Sequence, residues 1–332
     1  MNNKNITIAD IAEALDVSKT TVSRTISGKG RIGEETRQRI LAYIEEHDYK
    51  PNVIARGLAQ SKTFNLCVVM PGTYALVDLP FFQEAIMGIQ EVAGQMEYDI
   101  LLCICQEDDV SALERILSNR KVDGVILLRT YLKDAQIELL QQRDIPFATA
   151  GSSAYPDVVQ VDNDHARACR ELTSILLEQS PGRIALLGGN EKFTVNQSRF
   201  RGFVQAFSDS GKSYEPDLIF LNLDSRALME QAVEEALQKG ASCLICMDDA
   251  ICSQVLRKLK QEHKKVPADV RVASFYNSSL LENNTPAVTS LVFDAREQGS
   301  VVCQKLLDQI EGKEVENQTF LSYEVVLKES TK

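Results

Sequence analysis

The sequence predicts an α/β protein: an all-α helix-turn-helix headpiece followed by a two-lobed core of two doubly wound parallel sheets. Three observations carry that prediction. Residues 6–27, ITIADIAEALDVSKTTVSRTIS, read as two short helices joined by a tight turn. From Phe64 onward, apolar strand-like runs alternate with amphipathic helical stretches, and the alternation comes as two consecutive series. Continuous apolar strands between amphipathic helices imply parallel sheets covered on both faces, and two series imply two lobes. In such sheets ligands bind beyond the carboxyl ends of the strands, so the cleft between the lobes is the expected pocket.

The first helix opens on Thr7 with Asp10 three positions later, an N-cap signal. Ile8, Ile11, Ala12 and Leu15 follow at helical spacing and make one apolar face. After the Asp16-Val17 turn, Ser18 is placed to cap a second helix over residues 19–26. Val22 and Ile26 point inward there, leaving Lys19, Thr20, Ser23 and Arg24 outside. An outer face of hydroxyls and cations suits the DNA major groove, because such groups bond phosphates and long donors reach base edges. A third helix starts at Gly33 or Glu34, with Ile40, Leu41 and Ile44 closing a three-helix core.

In the body, the first series of strands is NLCVVM (65–70), DILLCI (99–104), DGVILL (123–128) and PFATAG (146–151), with helices at 81–97, 109–119 and 134–142. The second is RIALLGG (183–189), DLIFL (217–221), CLICM (243–247) and VRVASF (270–275), with helices near 197–210, 226–239 and 250–264. Cys243 and Cys246 form a CxxC inside a strand, where period-two alternation sends the two thiols to opposite faces. The eight cysteines read as buried, reduced thiols rather than disulfides or a metal site.

At 332 residues and 44% apolar content the chain can bury a large core. It shows no amino-terminal apolar h-region and no run of 18 apolar residues, so a cytoplasmic protein with no membrane association is expected. The net charge of −11 is unevenly spread: residues 1–63 carry ten Lys and Arg against eight Asp and Glu, and the remainder carries 26 against 39. A mildly basic head on an acidic body confines phosphate attraction to one end, and two heads acting together are expected. No G-x-G-x-x-G follows a strand, GGN at 188–190 is a weak phosphate signal, and no Walker A motif occurs. The three histidines, His47, His165 and His263, have no Cys, Ser or second His at useful spacing. No enzyme activity, cofactor or metal is expected.

Residues 6–63 resemble the headpiece and hinge of the LacI (lactose-repressor) family of bacterial transcription regulators, through T-I-A-D-I-A, V-S-K-T-T-V-S-R, E-E-T-R-Q-R-I, Y-K-P-N and A-R-G-L. Residues 64–328 resemble the same family's periplasmic-binding-protein-like core, through LPFF, KVDGVILL, VDN, RIALLGG, R-F-R-G-F and EVVLKEST in order. The resemblance implies a headpiece at 1–49, a hinge at 50–62, a first lobe of 63–161 and 292–322, and a second of 162–291 and 323–332. It implies a sequence-specific repressor that binds palindromic operator DNA as a homodimer and answers to a small molecule. No heptad tail follows the final strand, so a C2 dimer rather than a tetramer is expected.

By that resemblance Lys19, Thr20 and Arg24 reach base edges, while Thr7, Ser18, Thr21, Ser23 and Arg31 grip phosphates. Asn52, Ala55 and Leu58 belong to a hinge helix that forms on the operator, with Leu58 wedged into the minor groove. Such a helix of about nine residues is marginal alone, and Gly57 weakens it by roughly 1 kcal/mol more.

The effector set implied by the resemblance is Phe81 and Phe82 as an aromatic wall, Arg199, Asp248, and Asp162 with Asn163 near a lobe crossover. Phenyl walls with converging polar groups suit sugar rings. Many family members carry aspartate after the strand matching VRVASF, where this chain has Tyr276 and Asn277. Tyrosine does not accept two hydroxyls as a carboxylate does, which argues against a simple monosaccharide. LPFFQEAIMGIQ, VDNDHA and LLGGNEKFTVNQSRFRGF look most like maltose-operon repressors of Gram-positive bacteria, pointing to a maltose-like α-glucoside. The alternatives are a catabolite-type regulator with a protein corepressor and a sugar-binding transport protein. Leu58→Ala is expected to weaken operator binding strongly and leave ligand affinity nearly intact; equal operator affinity in a gel-shift titration discards the wedge.

Overall fold

The computed structural model describes residues 6–27, 30–47, 49, 57, 60–72, 80–179 and 182–332. The positions Asn52, Ala55 and Leu58 singled out above lie outside the described residues. The chain divides into two compact units, Met1–Thr63 and Phe64–Lys332.

The first unit contains α1 (Ile8–Ala14), α2 (Lys19–Ser27) and α3 (Glu34–Glu46). Thr7 and Asp10 form a capping box at the start of α1, with the Asp10 carboxylate accepting from the Thr7 amide at 2.8 Å. Ser18 Oγ accepts from the Thr21 amide at 3.0 Å and so caps α2. Ile11, Ala12, Val22, Ile40 and Tyr49 form the core, with Ile8, Leu15, Ile26 and Ile44 packed against it. Leu41 is a correction: it is 46% exposed and does not close this core. Each helical residue turns about 100°, so the stripe through Ile40, Tyr43 and Ile44 carries its neighbour Leu41 off the buried face.

In the second unit, one sheet is built from β1 (Asn65–Pro71), β2 (Asp99–Cys105), β3 (Gly124–Leu127), β4 (Phe147–Ala150) and β5 (Val159–Asp162). A second is built from β6 (Arg183–Leu187), β7 (Ile219–Phe220), β8 (Ala241–Cys246), β9 (Arg271–Ser274) and β10 (Thr289–Val292). Late in the chain β11 (Gln318–Phe320) joins the first sheet and β12 (Glu324–Val326) the second. The orders are β11-β5-β4-β3-β1-β2 and β12-β10-β9-β8-β6-β7. All pairings are parallel except β10 with β12. The crossovers are α4 (Pro80–Gln95), α5 (Ser111–Ser118), α6 (Ala135–Gln142), α7 (His165–Glu178), α8 (Thr194–Asp209), α9 (Arg226–Gln238), α10 (Asp249–Gln261), the short α11 (Ser279–Glu282) and α12 (Ala295–Ile310).

Period-two alternation divides each sheet between two cores. Leu66, Val68 and Met70 of β1 join the core under α4 and α12, while Cys67 and Val69 join the one under α5 and α6. In β8, Cys243 and Cys246 fall in different cores, as alternation requires. All eight cysteines are buried and free. Two expectations change. The run DILLCI is not a buried strand: β2 is a sheet edge, and Leu102 and Ile104 are 56% and 53% exposed. The run DLIFL yields only a two-residue strand, because Pro216–Leu218 turns as a 3-10 helix first.

Glycine sets the helix spacing in the first lobe. A Cβ on Gly299 of α12 would lie 2.0 Å from the Ala85 carbonyl oxygen of α4, and one on Gly88 would lie 2.0 Å from that of Arg296. Backbone therefore meets backbone, and no side chain fits between. Gly299→Ala is expected to cost about 1–3 kcal/mol and to lower Tm by at least about 2 °C in a calorimetric scan. Gly94→Ala, whose nearest neighbour is 4.0 Å away inside α4, is expected to be neutral or stabilising by up to about 1 kcal/mol.

Candidate nucleic-acid face and ligand cleft

In the headpiece, α2 buries Val22 and Thr25 and leaves Lys19, Thr20, Ser23 and Arg24 exposed, with Arg31 exposed beyond it. One helix face thus presents two cations and two hydroxyl groups over a small apolar core. Thr25 Oγ1 donates to the Thr21 carbonyl at 3.0 Å, and the Ser18 and Thr21 hydroxyls bond each other at 2.8 Å. The Thr7 hydroxyl bonds Asp10 at 2.7 Å. Thr7, Ser18 and Thr21 therefore shape the helix starts, while Lys19, Thr20, Ser23 and Arg24 form the outward surface. The Arg24 stem packs over Gly30, whose φ is +90°. A Cβ at Gly30 would lie 3.2 Å from Arg24 Cδ.

In the second unit, a cleft of about 240 Å³ opens beyond the carboxyl ends of both sheets. Arg129 and Thr130 follow β3, Gly151 follows β4, Asn163 follows β5, Asp248 and Asp249 follow β8, and Tyr276 follows β9. Parallel strands point their ends the same way, so distant sequence segments converge there. Of the residues singled out by sequence, Phe81, Phe82, Asp162, Asn163, Arg199, Asp248 and Tyr276 line this cleft. Asn277 is not among its lining residues; its Oδ1 is buried without a hydrogen-bond partner among the described residues.

Arg199 is the strongest polar feature. It is 7% exposed, its Nη1 reaches Asn196 Oδ1 at 3.5 Å, and its Nε has no hydrogen-bond partner among the described residues. Among the described residues it forms no salt bridge. A buried guanidinium without a carboxylate is unfavourable unless something else accepts its protons. Asp248 caps α10, accepting from the Ile251 amide through Oδ1 at 2.8 Å. Asp249 accepts from the Ser278 hydroxyl and the Ala250 amide. Burial, reinforced by the Asp248 carboxylate beside it, pushes the Asp249 carboxyl up to about 6.

On the opposite wall, the Asn163 amide group is aimed by α12. Its Nδ2 donates to Gln298 Oε1 at 2.9 Å, and Gln298 Nε2 donates to the Val161 carbonyl at 2.8 Å. Asn163 Oδ1 has no partner among the described residues. Asp162 accepts from the Ser152 hydroxyl and from the Asn163 amide at 2.8 Å. His165 Nε2 lies 3.6 Å from Asp162 Oδ1, a carboxylate neighbour that the sequence reading did not consider. Burial nevertheless drives its pKa down and keeps the imidazole neutral, with Arg199 and Arg129 acting in the same direction.

The aromatic wall differs from the expected one. Phe82 is 1% exposed and belongs to the first-lobe core, and its ring is covered by the Arg129 guanidinium at 5.3 Å. Phe81 is half-buried and packs against the cores of both lobes, 6.2 Å edge-on from the Tyr276 ring. Tyr276 also stacks on Phe293 at 6.0 Å, and burial raises the pKa of its phenol. Sequence reading missed Arg129, Phe193, Asn196, Asp249 and Gln298. Arg129 directly follows a strand end, and Asn196 stands three residues before Arg199 on one helix; both signals were present. Gln298 carried none, since it arrives on the last long helix.

No helix among the described residues is long and apolar enough to cross a membrane. Residues 7–52 match the family "Bacterial regulatory proteins, lacI family", and residues 157–331 match the "Periplasmic binding protein-like domain". The chain is 33% identical to the HTH-type transcriptional regulator MalR of Streptococcus pneumoniae over 204 residues, 60% of this chain and 62% of that one. Solved structures share its fold, and two of them illustrate it. One is the lac repressor dimer bound to operator and the anti-inducer ONPF, with TM-score 0.81, 21% identity and 99% of each chain covered. The other is a transcriptional regulator CelR–cellobiose complex, with TM-score 0.75, 24% identity, and 98% and 99% covered. With a helix-turn-helix face in one unit and a ligand cleft between two parallel sheets in the other, the chain belongs to the LacI family: it is a DNA-binding transcriptional regulator with an effector-binding core, not an enzyme.

Proposed function

We propose that this regulator is a homodimeric repressor of a sugar-utilisation operon, released or engaged by a neutral α-glucoside of the maltose type. The observation that carries the ligand class is Arg199, buried in the cleft wall with no carboxylate partner among the described residues. Sugar hydroxyls accept from a guanidinium without adding charge, and Asp248 on the same wall supplies an acceptor for their protons. The half-buried Phe81 ring offers an apolar face. The CelR–cellobiose complex supports a sugar of more than one ring.

The parts divide as follows. Residues 1–49 form the headpiece and 50–62 the hinge; 63–161 with 292–322 make one lobe, and 162–291 with 323–332 the other. Lys19, Thr20 and Arg24 read base edges; Ser18, Thr21, Ser23, Arg31 and Thr7 hold phosphates; Asn52, Ala55 and Leu58 act from the hinge. Two copies pair through the first lobe, where the β2 edge leaves Leu102 and Ile104 exposed, and each copy takes one half of a palindrome. The operator-bound dimer of the lac repressor supports that arrangement.

Calorimetric titration of the full chain with maltose, maltotriose, cellobiose and methyl glucoside, beside gel shifts on palindromic promoter fragments, tests the reading. Maltose or maltotriose is expected to bind and to change operator affinity. Arg199→Ala is expected to weaken sugar binding about 10- to 150-fold, the worth of hydrogen bonds to a charged group. Thermal stability should stay equal or rise, because a buried charge with no carboxylate partner among the described residues is removed. Parent-like sugar affinity in that variant, or operator binding indifferent to every sugar, overturns the assignment.

A further inference from the structure

We propose that the loops at 129–134 and 190–194 form a clasp, built from the chain's own groups, that shuts one side of the cleft and makes effector entry wait on its opening. The inference rests on the cleft being the effector site and concerns how that site is regulated. The first loop follows β3 of one sheet and the second follows β6 of the other, so every contact between them joins the two lobes.

Their backbones pair. Tyr131 and Phe193 form an isolated antiparallel bridge, the Leu132 amide donates to the Lys192 carbonyl at 3.0 Å, and the Thr194 amide donates to the Thr130 carbonyl at 3.2 Å. Side chains reinforce the bridge. The Tyr131 and Phe193 rings meet edge to face at 5.4 Å, and both residues are buried, at 1% and 4% exposed. The Arg129 guanidinium lies between two rings, 5.3 Å from that of Phe82 in one lobe and 4.7 Å from that of Phe193 in the other. At the rim, Lys192 Nζ pairs with Glu107 Oε1 at 2.8 Å. Arg129, Thr130 and Phe193 also line the cleft, so the clasp forms part of its wall.

Both loops are stiffened from within their own lobes. Buried Asp134 accepts from the Tyr131, Gln136 and Ile137 amides, tying the first loop to the start of α6, and the Thr130 hydroxyl donates to the Ser152 carbonyl at 2.6 Å. In the second, Asn190 Oδ1 accepts from the Lys192 amide at 2.9 Å, and Gln197 Nε2 donates to the Glu191 carbonyl at 2.7 Å. Two stiff loops joined by a few contacts act as a latch with two discrete arrangements. Separation exposes two aromatic rings and strips an arginine of two aromatic faces at once. An effector that widens the cleft competes with this latch, and one that fits behind it is retained by it.

Residue-resolved hydrogen exchange on the full chain, free of DNA and sugar, tests the clasp. The Leu132 and Thr194 amides are expected to be protected, because their partners lie in the opposite lobe. Phe193→Ala is expected to speed exchange at both about 2- to 13-fold or more, from the loss of the ring pair, while the Val68 and Leu186 amides in the sheet cores keep their rates. Lys192→Glu, an exposed change that keeps the rings, should speed the same two amides by setting two carboxylates together, and Glu107→Lys in that background should restore them. Exchange at unprotected rates in the parent chain overturns the clasp. So do unchanged rates in both Phe193→Ala and Lys192→Glu with the core amides intact. Neither readout involves an effector, so a failed sugar screen leaves the result standing, and a failed clasp leaves the sugar assignment untouched.

Discussion

Parallel strand pairing is the constraint on which the effector-binding unit depends. Strands that run the same way need crossovers, the crossovers here are helices, and helices on both faces demand four apolar layers. Those layers are the four cores divided by the alternation within β1 and β8. The same constraint gathers the polar residues. The parallel strands of each sheet end at the cleft, so Arg129, Asn163, Asp248, Asp249 and Tyr276 reach it from four separate strand ends. Where α4 meets α12, the layers close so tightly that glycine is required at both contacts.

Electrostatics at the cleft follow from burial. Desolvation and a neighbouring carboxylate push the Asp249 carboxyl up to about 6, and His165 is held neutral despite Asp162. Arg199 remains a buried cation without a carboxylate among the described residues. In the headpiece the balance is opposite: the core is a handful of apolar residues, and exposed Lys19, Arg24 and Arg31 stay in water where a polyanion can reach them.

A cleft between two lobes functions as a switch only if its open and closed forms differ by a modest free energy. Inter-lobe contacts made by the protein itself set that difference before any ligand acts. The bridge from Tyr131 to Phe193 and the arginine held between Phe82 and Phe193 are such contacts. In the clasp we propose, an effector's influence on DNA binding is bounded by how differently it interacts with the latched and unlatched arrangements.

Local pattern sufficed for much of this protein. Capping at Thr7 and Ser18, the outward face of α2, strand and helix alternation, and the separation of Cys243 from Cys246 are properties of short segments. They follow from helical and period-two geometry alone. The position of Arg199 was legible because it sits inside a distinctive run, R-F-R-G-F. Other features required the assembled chain. Leu102 and Ile104 read as core until the sheet order made β2 an edge, and Phe82 read as a ligand platform until Arg129, 47 positions away, covered its ring. Gln298 orients Asn163 across 135 positions, and the latch pairs loops from two different sheets. Sequence periodicity determines which face a residue occupies; only tertiary packing decides what stands opposite that face, because the partner is chosen by the path of the whole chain.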